Sequence, residues 1–448
     1  MNKNKYYKFT KIPLNDILLG LLITYFVVFG LLMVHTSGQP DQGSHYYFSQ
    51  RFSETWGIPD EEPNTSFTVT GQPYLYYWIN GAVYKIYKLI FPPGQIKSAL
   101  IFRLISVFYA VWTVIYTYKL TLKITGNPYA SLLSAFFLSN TLMFVFVSGG
   151  ISYDNLMNLA AVAAIYHLVK IYNKDDFIKN TALIGIWVIV GSLAKDQHLL
   201  LSLIIFIAWL TFTIRNVRKL NFSFEKKNIV FIVLFFLLLI LFLSLYGRNF
   251  LVYGRITPSC NQVKNSELCR TYDYRYEFYE PFNLQRILFV RDDLSNPFNY
   301  AITFWIPKMF ESIWGILSHV TFVPRLSVSL HGILVFWAFV CFFYYSKLKE
   351  PLAVLLIIIL FAYCSYVFLW NYKTEVEFSF QHFVITGRYL QPILSILLTL
   401  MTYSYLKIRP ALLKRMTIAL AIIIYCFGGL GMFISRYAEV FAHWRIYF

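Results

Sequence analysis

The sequence predicts an all-α polytopic membrane protein, a bundle of about eleven transmembrane helices. Three observations carry this reading. Of 448 residues, 58% are hydrophobic and only 14% are charged, with a mean hydropathy of +0.55. A soluble chain of this length needs more polar surface. Apolar windows of about twenty residues, the length that crosses a hydrocarbon core about 30 Å thick, recur along the chain. Basic residues fall in alternate connections between those windows. The net charge of +17 is therefore read as the charge of cytoplasmic loops rather than as a nucleic-acid surface.

The chain opens with "MNKNKYYKFTKIPLND" and an apolar run. That run is longer than a signal-peptide core and no A-x-A-like cleavage site follows, so it reads as a retained first span. The windows lie near 17–36, 100–121, 128–148, 154–172, 181–195, 197–214, 228–246, 330–346, 351–370, 388–406 and 413–434. "GSLAKDQHLL" is the short break between the fifth and sixth. With the N-terminus cytoplasmic, the inner segments 1–16, 122–127, 173–180, 215–227, 347–350 and 407–412 all carry basic residues. Examples are Lys8 and Lys11, Lys123, Lys174 and Lys179, Arg215 and Arg218, Lys347 and Lys349, and Lys407 and Arg409.

Two long segments then fall outside, and the chain reads as one transmembrane domain over 1–448. The first extracytoplasmic loop, 37–99, holds "QPYLYYWINGAVYKIYKLIFPP", whose tyrosines and lysines suit an interfacial helix. The second, 247–329, contains "FWIPKMFESIWGILSHV", expected to lie along the surface. Cys260 and Cys269 flank "NQVKNSEL" there; a disulfide and two free thiols are the alternatives. Cys341, Cys364 and Cys426 fall in apolar spans and are expected in the core. No internal repeat and no separate soluble domain is evident.

The charges left over gather on one face. Asp41 follows the outer end of the first span. Arg103 opens the second, Asp154 the fourth and Arg388 the tenth. Lys195, Asp196 and His198 lie in the outer turn between the fifth and sixth. Each has a plainer explanation alone: Arg103 or Arg388 snorkelling to headgroups, Asp154 favouring a helix start, His45 stacking among Tyr46 and Tyr47. Their shared placement favours a site facing a cavity. Two separated carboxylates supply a general base and an orienting or metal-binding acid, and cations hold an anionic leaving group such as a phosphate. No Gly-rich phosphate loop or nucleotide fold is present, so an outward-facing enzyme needs a donor already in the membrane.

These residues sit in blocks that resemble, in order, those of the GT-C superfamily of membrane glycosyltransferases. The superfamily includes the protein O-mannosyltransferases and the aminoarabinose transferases of lipid A. The blocks are "PDQGSHYYFSQRFSETWGIP", "GQPYLYYWINGAVYK", "FRLISVFYAVWTVIYTYKL", "GISYDNLMNLAAV", "GSLAKDQHLLL" and "GRYLQPILSIL". "FESIWGILSHVTFVP" is similar to an uncharacterised bacterial membrane family of the same superfamily. The resemblance implies sugar transfer, with inversion, from a polyprenyl-phosphate donor to a lipid, glycan or protein acceptor at the extracytoplasmic face of a bacterial plasma membrane. It makes Asp41 the catalytic base, with Asp154 assisting in the acceptor or metal region. It places Lys195 and Arg388 on the donor phosphate, with Tyr389, His45 and Arg103 also toward substrate. It calls for no organic cofactor and leaves a divalent metal ion open. The chain departs from the family at Asp41-Gln42, where an Asp-Glu pair is common; Glu54 and the Asp60-Glu61-Glu62 cluster are the acids that could replace the missing one. The competing readings are a transporter or flippase of a lipid-linked or anionic substrate, and a surface-polysaccharide polymerase.

Overall fold

Each of the eleven apolar windows holds helix among its described residues. The computed structural model describes residues 13–34, 41–60, 71–91, 97–219, 225–263, 296–316, 323–346, 350–378 and 386–436, and among these there is no β-strand. The spans are α1 (Leu14–Met33), α4 (Ser98–Thr125), the pair α5 (Pro128–Ser139) and α6 (Leu142–Ser148), α7 (Asp154–Tyr172), α8 (Phe177–Ala194), α9 (His198–Asn216) and α10 (Ile229–Tyr253). They continue with α12 (Arg325–Ser346), α13 (Pro351–Glu377), α14 (Gly387–Lys407) and α15 (Ala411–Arg436). Two helices lie in the first long loop, α2 (Gln42–Phe52) and α3 (Leu75–Ile90), and α11 (Ile306–Trp314) lies in the second.

Nine of these helices are long and apolar enough to cross a membrane on length and composition. The other two spans depart from a plain apolar rod for identifiable reasons. Between α5 and α6 the axis bends by 70°. There Asn140 Nδ2 donates to Phe136 O at 3.0 Å and Thr141 Oγ1 to Phe137 O at 2.9 Å, so side chains compete with the helical ladder. The Tyr25 hydroxyl fixes the bend by donating to Asn140 Oδ1 at 2.6 Å. Helix α7 carries Asp154, Asn155, Asn158 and His167, all buried, and is enclosed by α4, α8 and α14. Its neighbours are protein on nearly every side, which is what permits polar residues at membrane depth.

Local chemistry sets the helix ends. Asn127 caps α5 through Tyr129 N–H and Ala130 N–H, with Pro128 at the first helical position. Asp176 caps α8 through Lys179 N–H at 3.0 Å. Thr117 with Ser395 (2.7 Å) and Thr121 with Thr399 (2.8 Å) join α4 to α14 by buried hydroxyl pairs. A Cβ on Gly149 would stand 2.0 Å from Gly30 O, so only glycine permits the backbone contact between α1 and the end of α6.

The two ends of the bundle are tied separately. At one end Lys123 pairs with Asp175 (3.1 Å), Asn228 with Asp176 (3.2 Å) and Lys407 with Glu350 (3.3 Å). These contacts join connections that the alternation of basic loops assigned to one side. The opposite end gathers Asp41, Asp154, Lys195 and Arg388. Helix α3, with 16 residues, is short for a crossing. It buries Tyr76, Tyr77 and Asn80 against α2 and leaves Trp78, Ile86, Leu89 and Ile90 exposed. Helix α11 buries Met309, Ile313 and Trp314 and exposes Ile306; the surface helix expected over 304–320 ends at Trp314, and 317–322 lies outside the described residues. One expectation fails: of the three cysteines in spans, only Cys341 is buried, while Cys364 is half-buried and Cys426 is exposed on the outward face of α15. The Cys260 side chain and Cys269 lie outside the described residues.

Candidate active site

Asp41 immediately precedes α2 with φ 62° and ψ 5°, a left-handed conformation that aspartate tolerates better than most residues. Its carbonyl accepts His45 N–H at 3.0 Å, so base candidate and imidazole are set by the same first turn. Asp154 is the first residue of α7; its Oδ2 accepts from Ser152 Oγ at 3.2 Å. Lys195 leaves the end of α8 in extended conformation (φ −155°, ψ 133°) and reaches Asp154 Oδ1 at 2.7 Å. Arg388 lies in the opening turn of α14, and one of its terminal nitrogens meets Asp41 Oδ2 at 2.8 Å.

Aromatic rings link the two ion pairs. The Lys195 ammonium lies 4.7 Å from the Tyr153 ring centroid and 5.0 Å from that of Tyr389. The Arg388 guanidinium carbon lies 5.5 Å from the same Tyr389 ring. His45 meets Tyr153 edge-on at 4.4 Å and shares a 2.8 Å hydrogen bond between its Nδ1 and the Tyr77 hydroxyl. Exposure rises along this line. The side chain of Asp154 is 1% exposed, Lys195 7%, Arg388 14% and Asp41 52%. The Asp154–Lys195 pair is therefore the floor of the site, and the Asp41–Arg388 pair is its mouth.

A second set of contacts fixes the opening turn of α14. Gly387 N–H donates to Ser312 Oγ of α11 at 2.6 Å, and Tyr363 OH donates to Tyr389 O at 3.1 Å. Gln391 Nε2 donates to Met143 O at 3.0 Å, and its Oε1 accepts from Asn158 Nδ2 at 2.8 Å. Four elements thus aim Arg388 at Asp41. Two polar atoms of the site are buried without a hydrogen-bond partner, Arg388 Nε and His45 Nε2. Such atoms mark places where a ligand or water completes the arrangement.

Burial works against ionisation of Asp41. The Arg388 guanidinium, through its charge and hydrogen bond, nevertheless holds the carboxyl below the usual carboxylate range. Burial pushes the His45 imidazole down to about 4, against the pull of Asp154 and Asp41. His45 is therefore a neutral, oriented ring at pH 7 rather than a cation.

The structure brings Asp41, His45, Asp154, Lys195, Arg388 and Tyr389 together. It corrects the expectation for Arg103. That guanidinium is buried and donates to three backbone carbonyls, Gly149 O (2.7 Å), Val34 O (2.7 Å) and Leu31 O (3.0 Å). Its work is to tie α4 to the ends of α1 and α6. His198 is likewise outside the cluster, with Nδ1 on Ser202 Oγ at 2.9 Å. Glu54 pairs with Arg51 at 3.1 Å, and Glu61 and Glu62 lie outside the described residues. Among the described residues no three His, Cys, Asp or Glu side chains converge as a metal-ligand set, and both site carboxylates already face cations. Tyr153, Tyr77, Ser312 and Gln391 were not singled out in the sequence, although each lies within one of the resembling blocks.

No family model matches the sequence, and no curated protein matches it. Solved structures do match. The oligosaccharyltransferase of Archaeoglobus fulgidus in its apo form is 14% identical, with a TM-score of 0.51 over 95% of this chain and 55% of that one. The archaeal oligosaccharyltransferase AglB from the same organism, in complex with an inhibitory peptide and a dolichol-phosphate, gives 14%, 0.50, 95% and 56%. ArnT from Cupriavidus metallidurans bound to undecaprenyl phosphate gives 12%, 0.48, 88% and 60%. The chain spans little more than half the length of these proteins. It shares the membrane fold of these archaeal oligosaccharyltransferases.

Proposed function

We propose that this protein is an inverting glycosyltransferase that takes its sugar from a polyprenyl-phosphate donor at the extracytoplasmic membrane face. The observation that carries the reading is the Asp41–Arg388 contact at the mouth of the site. A carboxylate suited to act as base stands against a cation suited to hold phosphate, at the membrane surface where a lipid-linked donor presents its headgroup. That AglB, which shares this fold, was solved with a dolichol-phosphate supports the donor class.

Donor phosphate competes with Asp41 for Arg388. As the phosphate oxygens take the guanidinium, Asp41 loses the charge that depresses its basicity and becomes the stronger base. Asp41 then removes the proton of an acceptor hydroxyl. The hydroxyl oxygen bonds to the anomeric carbon from the face opposite the phosphate. The bond from that carbon to the phosphate oxygen breaks, its electron pair leaves with the polyprenyl phosphate, and Arg388 stabilises the charge that develops. Lys195, locked between Asp154 and two tyrosine rings, contributes positive charge from below and holds Tyr389 under Arg388. His45 orients the acceptor through its buried Nε2.

The test is to supply radiolabelled polyprenyl-phosphate sugars to membranes containing the protein and follow the label. Label leaving the lipid in the wild type and remaining on it in D154A and R388A supports the transferase. Label crossing the bilayer still attached to its lipid identifies a flippase instead.

A further inference from the structure

The end of the bundle remote from Asp41 carries a second charge cluster, which sugar transfer does not use. Lys119 lies within α4, Lys170 within α7 and Lys179 in the first turn of α8. Each ammonium sits against an aromatic ring. Lys119 Nζ is 5.7 Å from the Trp112 centroid and 5.3 Å from that of Tyr116; Lys170 Nζ is 5.9 Å from Tyr166, and Lys179 Nζ 5.3 Å from Phe231. Tyr116 lies edge-on to Tyr166 at 5.5 Å, Trp187 at 6.1 Å and His167 at 6.2 Å. His167 Nδ1 shares a 2.8 Å hydrogen bond with Asn180 Oδ1, next to Lys179, which brings the three lysines to one aromatic patch.

The patch has more positive charge than its acids neutralise. Asp175 is shared between Lys123 (3.1 Å) and Lys170 (3.6 Å). Asp176 is engaged by the α8 cap and by the Asn228 side chain. Among the described residues neither Lys119 nor Lys179 reaches a carboxylate. A bias toward basic inner loops accounts for the sign of this charge. It does not account for three ammonium groups standing over aromatic rings. Lys119 also ends an exposed column on α4, Leu104, Phe108 and Trp112, at 47%, 56% and 36% exposure. From Phe108 to Lys119 the helix rises about 16 Å, close to the half-thickness of the hydrocarbon core.

We propose that this patch binds the headgroup of an anionic phospholipid in the leaflet opposite the candidate active site. Its phosphate sits among Lys119, Lys170 and Lys179, and an acyl chain follows Trp112, Phe108 and Leu104. The site stands independently of the sugar-transfer reading.

The experiment is lipid titration of the purified full-length protein in detergent, with bound lipid counted by native mass spectrometry. Wild type is expected to prefer phosphatidylglycerol to phosphatidylcholine by about twenty-fivefold, two lysines' worth at about fivefold each. K119Q/K179Q, which breaks no ion pair, loses that preference by about the same factor. K407Q, altered at the same end of the bundle, keeps it. D175N frees Lys123 and Lys170 from their acid and binds phosphatidylglycerol more tightly, a gain that misfolding cannot produce. Equal binding of the two lipids by wild type overturns the proposal. So does equal loss in K407Q, or failure of D175N to tighten binding.

Discussion

Arg388 and Asp41, 347 positions apart in sequence, meet at 2.8 Å between a guanidinium nitrogen and a carboxylate oxygen. The contact joins the first long loop to the start of α14 and puts base and phosphate-binding candidates side by side. Removing Arg388 therefore has two effects, loss of the phosphate contact and release of Asp41. R388A is expected to lower transfer by about 10²-fold or more, the scale for removing a group that stabilises developing charge. R388K keeps the charge without the planar fork and recovers only part of the rate. Steady-state kinetics with varied donor concentration measure both.

Asp154 and Lys195 form a buried pair whose members cannot be removed singly without stranding a charge. D154N and K195M are each expected to destabilise the folded protein by about 3–5 kcal/mol. D154N/K195M together cost less than the sum, because neither leaves an unpaired charge behind. Thermal unfolding in detergent resolves the three variants.

Arg103 separates structure from chemistry. Its three carbonyl contacts bind α4 to the ends of α1 and α6. R103Q is expected to lower the unfolding temperature while leaving the donor KM unchanged. A raised KM with normal stability would return Arg103 to the substrate side.

The pH dependence follows from two depressed groups. The Asp41 carboxyl is held below its ordinary value, so its stabilising pair is present at neutral pH and lost only as pH falls through that lowered value. R388Q removes the cation and is expected to move the acidic limb of the transfer rate to higher pH. His45, at about 4 when folded against about 6.5 when unfolded, stays neutral in the folded state while the unfolded chain takes up a proton. Stability should therefore fall as pH drops from about 6.5 to about 4, by about 3 kcal/mol in all. H45Q is expected to flatten that slope, measurable as unfolding temperature against pH.

The spans were legible because twenty-residue apolar windows have few other uses in a folded chain. Even α7, the least apolar, could be placed, since its polar residues are outnumbered by Leu, Val, Ile and Ala. The shared face was legible from alternation of basic loops. The pairings were not. Asp41 could have faced Lys195 as readily as Arg388, because the order of spans says nothing of how helices pack around α7 and α14. Arg103 shows the limit most clearly. An arginine opening an apolar span can turn to lipid, to substrate or to backbone carbonyls, and only the helix ends exposed at the α1–α6 junction decide which. Ser312, Gln391 and Asn158, which aim Arg388, fall within the resembling blocks, but nothing in those blocks gives them that task.

Asp41 is the residue on which the proposed chemistry turns, and D41N tests it with little change in shape. The measurement is transfer of radiolabelled sugar from polyprenyl phosphate by purified wild type and D41N, alongside binding of the same donor to each. The expected result is donor binding retained in D41N, because Arg388 is then free for phosphate, with transfer nearly abolished. Transfer by D41N at the wild-type rate would contradict the account and remove Asp41 from the mechanism.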